Sequence, residues 1–108
     1  MNFTEYQNKA KETSRYPETY RVIYPAMGVS GEAGEIANKV QKLMRDKNMI
    51  LEDEDRRSLA LELGDVLWFI SALAGDLGYD METIAKMNIQ KLADRNARNV
   101  IGGSGDTR

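Results

Sequence analysis

The sequence predicts an all-α protein, an antiparallel four-helix bundle that assembles as a dimer or a dimer of dimers. Three observations support the fold class. No segment alternates Val, Ile or Thr as a β-strand would, both prolines lie in the first quarter of the chain, and apolar residues recur at helical spacing. The 108 residues, 42% of them hydrophobic, suffice for one domain with a single core. We expect that domain to span residues 1–100, followed by a flexible tail at residues 101–108.

The first predicted helix covers residues 2–15. Asn2 can cap it, with Glu5 three residues later as its capping-box partner. Pro17 ends it, because the residue before a proline disfavours the helical conformation. Residues 18–24 offer one further helical turn before the second helix.

The second predicted helix covers residues 26–45. Its apolar residues keep a helical period, and Gly28, Gly31 and Gly34 would let another helix or a ligand approach its backbone. A charged loop follows at residues 46–55. The acidic residues that close this loop suit the N-terminus of a third helix, where the helix dipole favours negative charge.

The third predicted helix covers residues 55–77 and ends at Gly78, and Asp80 then caps a fourth helix at residues 81–100. The short turn between them predicts an antiparallel hairpin. The third helix is apolar all round, so a single layer of four helices would leave part of it exposed. We therefore expect a homo-oligomer with an apolar interface. Acidic residues interrupt its apolar run, which favours a core helix over a membrane span.

Two carboxylate pairs, Glu32 with Glu35 and Glu62 with Asp65, share an i, i+3 spacing that places each pair on one face of a helix. The second pair lies among apolar residues, and buried carboxylates are costly unless a cation meets them. Four carboxylates from two helices suit Mg²⁺ or Mn²⁺. The alternative is a solvated face, which is the usual setting of a lone acidic pair.

The composition excludes several kinds of chemistry. Cys and His are both absent, which rules out disulfides, thiolate or imidazole metal sites, and triads that contain histidine. The net charge is −2 and no basic block is present, so we expect no nucleic-acid partner. We also expect no membrane partner and a cytoplasmic location, because no secretory signal is visible.

Three motifs in order resemble the MazG-like family of nucleoside triphosphate pyrophosphohydrolases. They are Gly31-Glu-Ala-Gly-Glu-Ile36, Glu62-Leu-Gly-Asp-Val-Leu-Trp68 and Lys91-Leu-Ala-Asp-Arg95. The resemblance covers residues 3–98. It implies an all-α fold, an assembly of two or four copies, and cleavage of a nucleoside triphosphate between its α and β phosphates to a monophosphate and pyrophosphate.

The resemblance also implies the site. Glu32, Glu35, Glu62 and Asp65 would hold Mg²⁺, with Mn²⁺ as a substitute, and form the catalytic group. A bound metal would let the acidic site accept a triphosphate, because it inverts the local charge and lowers the pKa of bound water. One glutamate would take the proton of that water, and which one stays open.

The fourth helix would supply the phosphate contacts. By the resemblance Lys91 and Arg95 bind phosphates, and Asn88 lies on the same helix face. The alternative for the two cations is a solvated face, or partners for Asp94 and other surface acids. Trp68 and Phe69 are candidates for the nucleobase, Phe69 in particular because it continues the face of the second acidic pair. The alternative is that both are ordinary core residues.

A different class of function also fits the pattern. A non-catalytic helical module could use the same apolar faces for oligomerisation or interaction. Such a module would need no metal, and its acidic residues would affect stability alone.

Overall fold

The computed structural model describes residues 1–108 and contains four α-helices, one short 3₁₀ turn and no strand. The all-α prediction is confirmed. The elements in chain order are α1 (Phe3–Lys11), the 3₁₀ turn (Glu18–Tyr20), α2 (Ile23–Lys47), α3 (Asp53–Asp76) and α4 (Met81–Ala97).

The starts of α1 and α4 use different caps. The side-chain oxygen of Asn2 accepts the Glu5 backbone N–H at 2.8 Å, so the predicted cap of α1 is confirmed. Asp80 occupies the cap position of α4 but makes no capping bond. The Met81 N–H donates instead to the side-chain oxygen of Gln7, at 3.0 Å, which ties α4 to α1.

The helix α1 ends at Lys11, four residues earlier than expected. The Thr13 hydroxyl donates to the Ala10 carbonyl at 2.7 Å and accepts the Trp68 indole N–H at 2.7 Å. A threonine that bonds a nearby carbonyl offers the backbone an alternative to the helix. The hydrogen bond from Trp68 to Thr13 stabilises this non-helical conformation at the end of α1.

The helix α2 begins at Ile23, three residues earlier than expected. Pro25 falls within its first turn, where a residue without an N–H costs nothing. Val22, just before the helix, has φ 70° and ψ −54°, and the Ile23 N–H closes a γ-turn on the Arg21 carbonyl at 2.8 Å. Positive φ is a strained conformation for a β-branched residue.

Asp76, the last residue of α3, holds this strained turn. One of its oxygens, Oδ2, accepts the Val22 N–H at 2.9 Å and the Tyr16 hydroxyl at 2.7 Å. Arg21 lies 3.6 Å from the other oxygen. The end of α3 therefore fixes the start of α2.

The turn between α3 and α4 forms at Gly78 as the sequence predicts, but α4 makes few contacts with α3 in the single chain, so their antiparallel packing stays a prediction. Gly78 has φ 81°, the Tyr79 N–H donates to the Ala74 carbonyl at 2.9 Å, and the Gly78 N–H donates to Gly75 at 3.0 Å. These two bonds form a Schellman motif, in which glycine takes the left-handed position.

The antiparallel pair of α2 and α3 is the most extensive helix contact, and α1 packs across α3. Gly28 of α2 is essential to this packing, because a Cβ atom built there would lie 2.2 Å from the Phe69 ring. The ring therefore rests directly on the α2 backbone, one turn before Glu32. The tail at residues 101–108 contains no helix and lies against the end of α4. Its expected flexibility stays a prediction.

Much of the chain is exposed. Six of the 108 residues are buried, and the accessible surface is 8074 Å². By length and composition alone α3 could cross a membrane, and 11% of its most apolar stretch is buried. The expectation that α3 is a core helix therefore depends on what covers it in the assembled protein.

Candidate functional site

Three of the four predicted carboxylates meet between α2 and α3. Glu32 projects from α2, and Glu62 and Asp65 project from α3, with one oxygen of each within 4.8 Å of the others. The two glutamates are partly buried and Asp65 is exposed. The i, i+3 spacing on α3 and the antiparallel packing of the two helices bring them together. We call these three residues the carboxylate cluster.

The cluster is electrostatically unfavourable without a cation. Partial burial raises the pKa of Glu32, and repulsion from Asp65, Glu62 and Glu35 raises it further. A hydrogen bond between Glu32 and Glu62 also raises the pKa of Glu32. Two carboxyl groups at such a short distance share a proton more easily than they both ionise. Either a proton or an added cation relieves this repulsion.

Glu35 lies outside the cluster. It is exposed and lies one turn further along α2 than Glu32. Its negative charge contributes to the raised pKa of Glu32. Its role as a metal ligand stays a prediction.

Lys39 is a residue at the site that the sequence analysis did not identify. Its ammonium group lies 2.8 Å from Glu62 Oε1 and donates to the Ser58 hydroxyl at 2.7 Å. The signal was present, because Lys39 follows Glu32 by seven residues and Glu35 by four, which places all three on one face of α2. This one cation leaves two acids of the cluster without a partner of opposite charge.

The donor set of the cluster fits a hard divalent cation. All the side chains that converge are carboxylates, and the chain has neither His nor Cys. Oxygen donors of this kind suit Mg²⁺ or Mn²⁺. The repulsion from neighbouring carboxylates, which adds to burial in raising the pKa of Glu32, points the same way.

Lys91 and Arg95 of α4 contact the tail and not the cluster. The Lys91 ammonium lies 2.6 Å from Asp106 Oδ1, and the Arg95 guanidinium lies 3.1 Å from the same oxygen. Arg95 is buried, whereas Asn88 is exposed. In the single chain the two cations therefore pair with an acid, as the alternative interpretation predicts. Their binding of phosphate stays a prediction.

Trp68 and Phe69 contact each other edge to face, with ring centroids 5.0 Å apart, and then point to different helices. Phe69 faces α2, where it rests on Gly28 and lies 6.1 Å from the Tyr24 ring. Trp68 faces α1, where its indole N–H binds Thr13.

A cavity of about 570 Å³ lies on the α1 side of Trp68. Its walls combine aromatic groups, Tyr16 and Tyr79, with charged groups of both signs, Lys11, Arg21, Glu18, Asp76 and Asp80. Trp68 is one helical turn from Asp65, so the cavity begins one turn beyond the carboxylate cluster.

Comparison with known proteins identifies the family. The model of the MazG nucleotide pyrophosphohydrolase domain matches residues 26–99, which include the whole cluster and the basic residues of α4. The chain is 43% identical to the Gene 37 protein of Mycobacterium phage L5 over 114 aligned positions, which cover all of both chains. No solved structure matches it. The chain belongs to the MazG nucleotide pyrophosphohydrolase family.

Proposed function

We propose that this protein hydrolyses a nucleoside triphosphate, ribose or deoxyribose, between the α and β phosphates, with Mg²⁺ as cofactor and Mn²⁺ as a substitute. The products are a nucleoside monophosphate and pyrophosphate. The observation that carries the proposal is the carboxylate cluster of Glu32, Glu62 and Asp65, which lies within the segment that matches the family. When bound there, a metal ion would supply a water of lowered pKa and charge stabilisation for the phosphate oxygens.

The chain's own residues would divide the work. Glu32, Glu62 and Asp65 would hold the cation, and Lys39 would partly neutralise Glu62. We assign Glu35 as the group that takes the proton of the attacking water, because it lies one turn from Glu32 and stays outside the cluster. A carboxylate that is not engaged by metal keeps an oxygen free to accept a proton.

The variant Glu35→Gln tests that assignment against the alternative of a fourth ligand. As a base, Glu35 is needed for turnover and not for metal binding, so the variant should lose kcat and keep its affinity for Mg²⁺ in calorimetry. A loss of both would make Glu35 a ligand. Glu62→Gln is the reference, since it should weaken metal binding directly.

The phosphates would meet the cations of α4. Arg95 can bind two phosphate oxygens at once, whereas Lys91 acts as a point charge. We expect Arg95→Ala to lower kcat/KM about a hundredfold, about 2.7 kcal/mol of transition-state stabilisation. Melting temperatures of the same variant are the control. Normal hydrolysis, or a lost rate that accompanies a collapsed fold, would contradict the role.

The nucleobase would lie in the cavity beside Trp68. That cavity begins one turn from Asp65 and offers aromatic faces for stacking. Phe69, which the sequence favours because it continues the acidic face, would instead support the site by packing against Gly28 of α2.

The assembly is proposed from the surface that the single chain leaves open. A folded monomer of 12.2 kDa has about 6,100 Å² of accessible surface, whereas this chain has 8074 Å². The radius of gyration is 16.7 Å, and a compact chain of this length has about 13 Å. The excess surface is of the size that an obligate interface buries. The exposed apolar residues include Met27, Met44, Leu61, Leu63, Met87 and Ile89.

We therefore propose a homodimer, or a dimer of dimers, whose interface covers α3. A lipid surface is the less suitable cover, because Glu62 and Asp65 lie in the middle of this helix and charge is costly in lipid. A cytoplasmic location without membrane or nucleic-acid partners belongs to the same proposal. Light scattering at micromolar concentration should give at least twice the chain mass. A monomer would contradict the assembly.

The apolar surface also favours a second candidate, a non-catalytic helical module that oligomerises through the same faces. The two functions differ in their dependence on metal. We would incubate the protein with each NTP and dNTP, with Mg²⁺ or with EDTA, and separate the products by chromatography. Metal-dependent pyrophosphate supports the enzyme. Its absence with every nucleotide, together with an oligomer that Glu62→Gln leaves intact, supports the module.

A further inference from the structure

The tail at residues 101–108 forms a closed loop on the end of α4. The Arg108 side chain organises the loop by donating to four backbone carbonyls, and Arg98 donates to the carbonyl oxygen of Arg108. The four acceptors, with their distances, are Val100 at 3.2 Å, Ile101 at 2.9 Å, Gly102 at 3.2 Å and Gly105 at 2.6 Å.

The loop places one carboxylate on the two cations of α4. Asp106 Oδ1 lies 2.6 Å from the Lys91 ammonium and 3.1 Å from the Arg95 guanidinium, and the Asp106 backbone carbonyl accepts a further Arg95 bond at 2.6 Å. The Arg95 side chain is 7% exposed, whereas that of Asp106 is 78% exposed. The Arg95 guanidinium is therefore buried, whereas the Asp106 carboxylate that contacts it lies on the solvent-exposed surface.

This arrangement resembles the way a protein binds a phosphate. A lysine and an arginine one helical turn apart converge on a single anionic oxygen, and phosphate offers the same kind of acceptor with more oxygens. The Arg95 Nε atom is buried without a hydrogen-bond partner. A buried donor without a partner is unusual, and a second phosphate oxygen would satisfy what Asp106 leaves unpaired.

We propose that the tail is a built-in competitor of the substrate, with the Asp106 carboxylate occupying the position of a substrate phosphate on Lys91 and Arg95. The inference rests on the proposed function, because it takes these two cations as the phosphate site. A triphosphate carries about four negative charges against the single charge of Asp106. Substrate therefore displaces the tail, and the apparent affinity is reduced by the fraction of molecules whose cations are occupied.

An internal competitor has a distinct kinetic signature. It raises KM and leaves kcat unchanged, because the tail has left the site once substrate is bound. If the loop instead positioned Arg95 for catalysis, its removal would lower kcat. If it only stabilised the end of α4, its removal would lower the melting temperature and leave both kinetic constants alone.

Two substitutions release the tail in different ways. Asp106→Asn removes the competing charge, and Arg108→Ala keeps that charge and removes the side chain that closes the loop. We expect each to lower KM about fivefold with kcat unchanged. Glu82→Gln is the matched control, because Glu82 is an acid of α4 that pairs with Lys86 and contacts neither the two cations nor the tail. It should keep the wild-type KM.

Binding of magnesium pyrophosphate, measured by calorimetry, is the second readout and requires no turnover. We expect Asp106→Asn to bind it about fivefold more tightly than wild type. Equal KM and equal pyrophosphate affinity in wild type and both tail variants would overturn the inference, and so would a fall in kcat. If Arg95→Ala loses activity while Asp106→Asn changes nothing, the proposed function stands and the competition fails. If no nucleotide is hydrolysed but the affinities still differ, the proposed reaction fails and the competition for Lys91 and Arg95 stands.

Discussion

The helix α3 carries carboxylates in two very different settings. At its end, Asp76 accepts hydrogen bonds from the Tyr16 hydroxyl and the Val22 N–H, and it lies near Arg21. In its middle, Glu62 and Asp65 lie close to a third acid, Glu32 of α2, and the one nearby lysine pairs with Glu62 alone. The first carboxylate is surrounded by donors, and the others are surrounded by acceptors.

The difference separates a structural acid from one that is left for a ligand. Asp76 accepts hydrogen bonds from the donors around it, and burial together with the hydrogen bond to Asp76 raises the pKa of Tyr16 to about 12. In the cluster, partial burial and then repulsion between the carboxylates raise the pKa of Glu32. An acid that accepts hydrogen bonds within the fold stabilises the fold, whereas acids that repel one another are relieved by a proton or by a cation from solution.

The largest effect that would test this contrast is the loss of activity in Asp65→Asn. We expect hydrolysis to fall about a thousandfold, about 4 kcal/mol of activation free energy, because a metal ligand is removed. The metal-free melting temperature should stay equal or rise, since repulsion falls. Asp53→Asn, at an exposed acid of the same helix, is the control. A large loss of metal-free stability in Asp65→Asn would place this residue with Asp76 among the structural acids.

The opposite outcome is expected for Asp76→Ala. Two hydrogen bonds and the support of the strained Val22 turn disappear, so the free energy of unfolding should fall by about 2–3 kcal/mol. Denaturant titration at fixed protein concentration measures it, and Tyr16→Phe, which removes one of the bonds, should cost about 1 kcal/mol. Magnesium affinity should remain close to wild type. Weakened metal binding with unchanged stability would reverse the assignment of the two settings.

The smallest expected effect is the release of a proton from Glu32 when metal binds. Because the pKa of Glu32 is raised above its ordinary 4.5, the metal-free fold holds this proton more strongly than the unfolded chain does. The associated stability is fully present below pH 4.5 and is lost as pH rises through the raised pKa. Binding of Mg²⁺ within that window should release up to one proton, seen by calorimetry in buffers of different ionisation enthalpy. Glu32→Gln should abolish the release, and an unchanged release would assign the proton to another group.

Features with local causes were predictable from the sequence. The cap at Asn2, the Schellman turn at Gly78 and the shared helix face of Glu62 and Asp65 all follow from short spacings along the chain, whereas the meeting of this pair with Glu32 also needs the packing of α2 against α3. The early start of α2 was not predictable, because its γ-turn is held by an aspartate 54 positions away. Nor was the contact of Asp106 with Lys91 and Arg95, since a glycine-rich segment has no periodicity from which a partner could be inferred.

The bond between Asp76 and the Val22 N–H fixes the rotational phase of α2. Each residue turns a helix by about 100°, so the direction of Glu32 depends on how many residues separate it from Val22. A residue inserted between these two points would swing Glu32 away from α3, whereas one inserted in the connection at residues 12–15 would be absorbed before the bond. Magnesium calorimetry on the two insertions would show the difference. Val22 is therefore the fixed point from which the position of Glu32 on α2 is counted, and we expect length variation to be tolerated only before it.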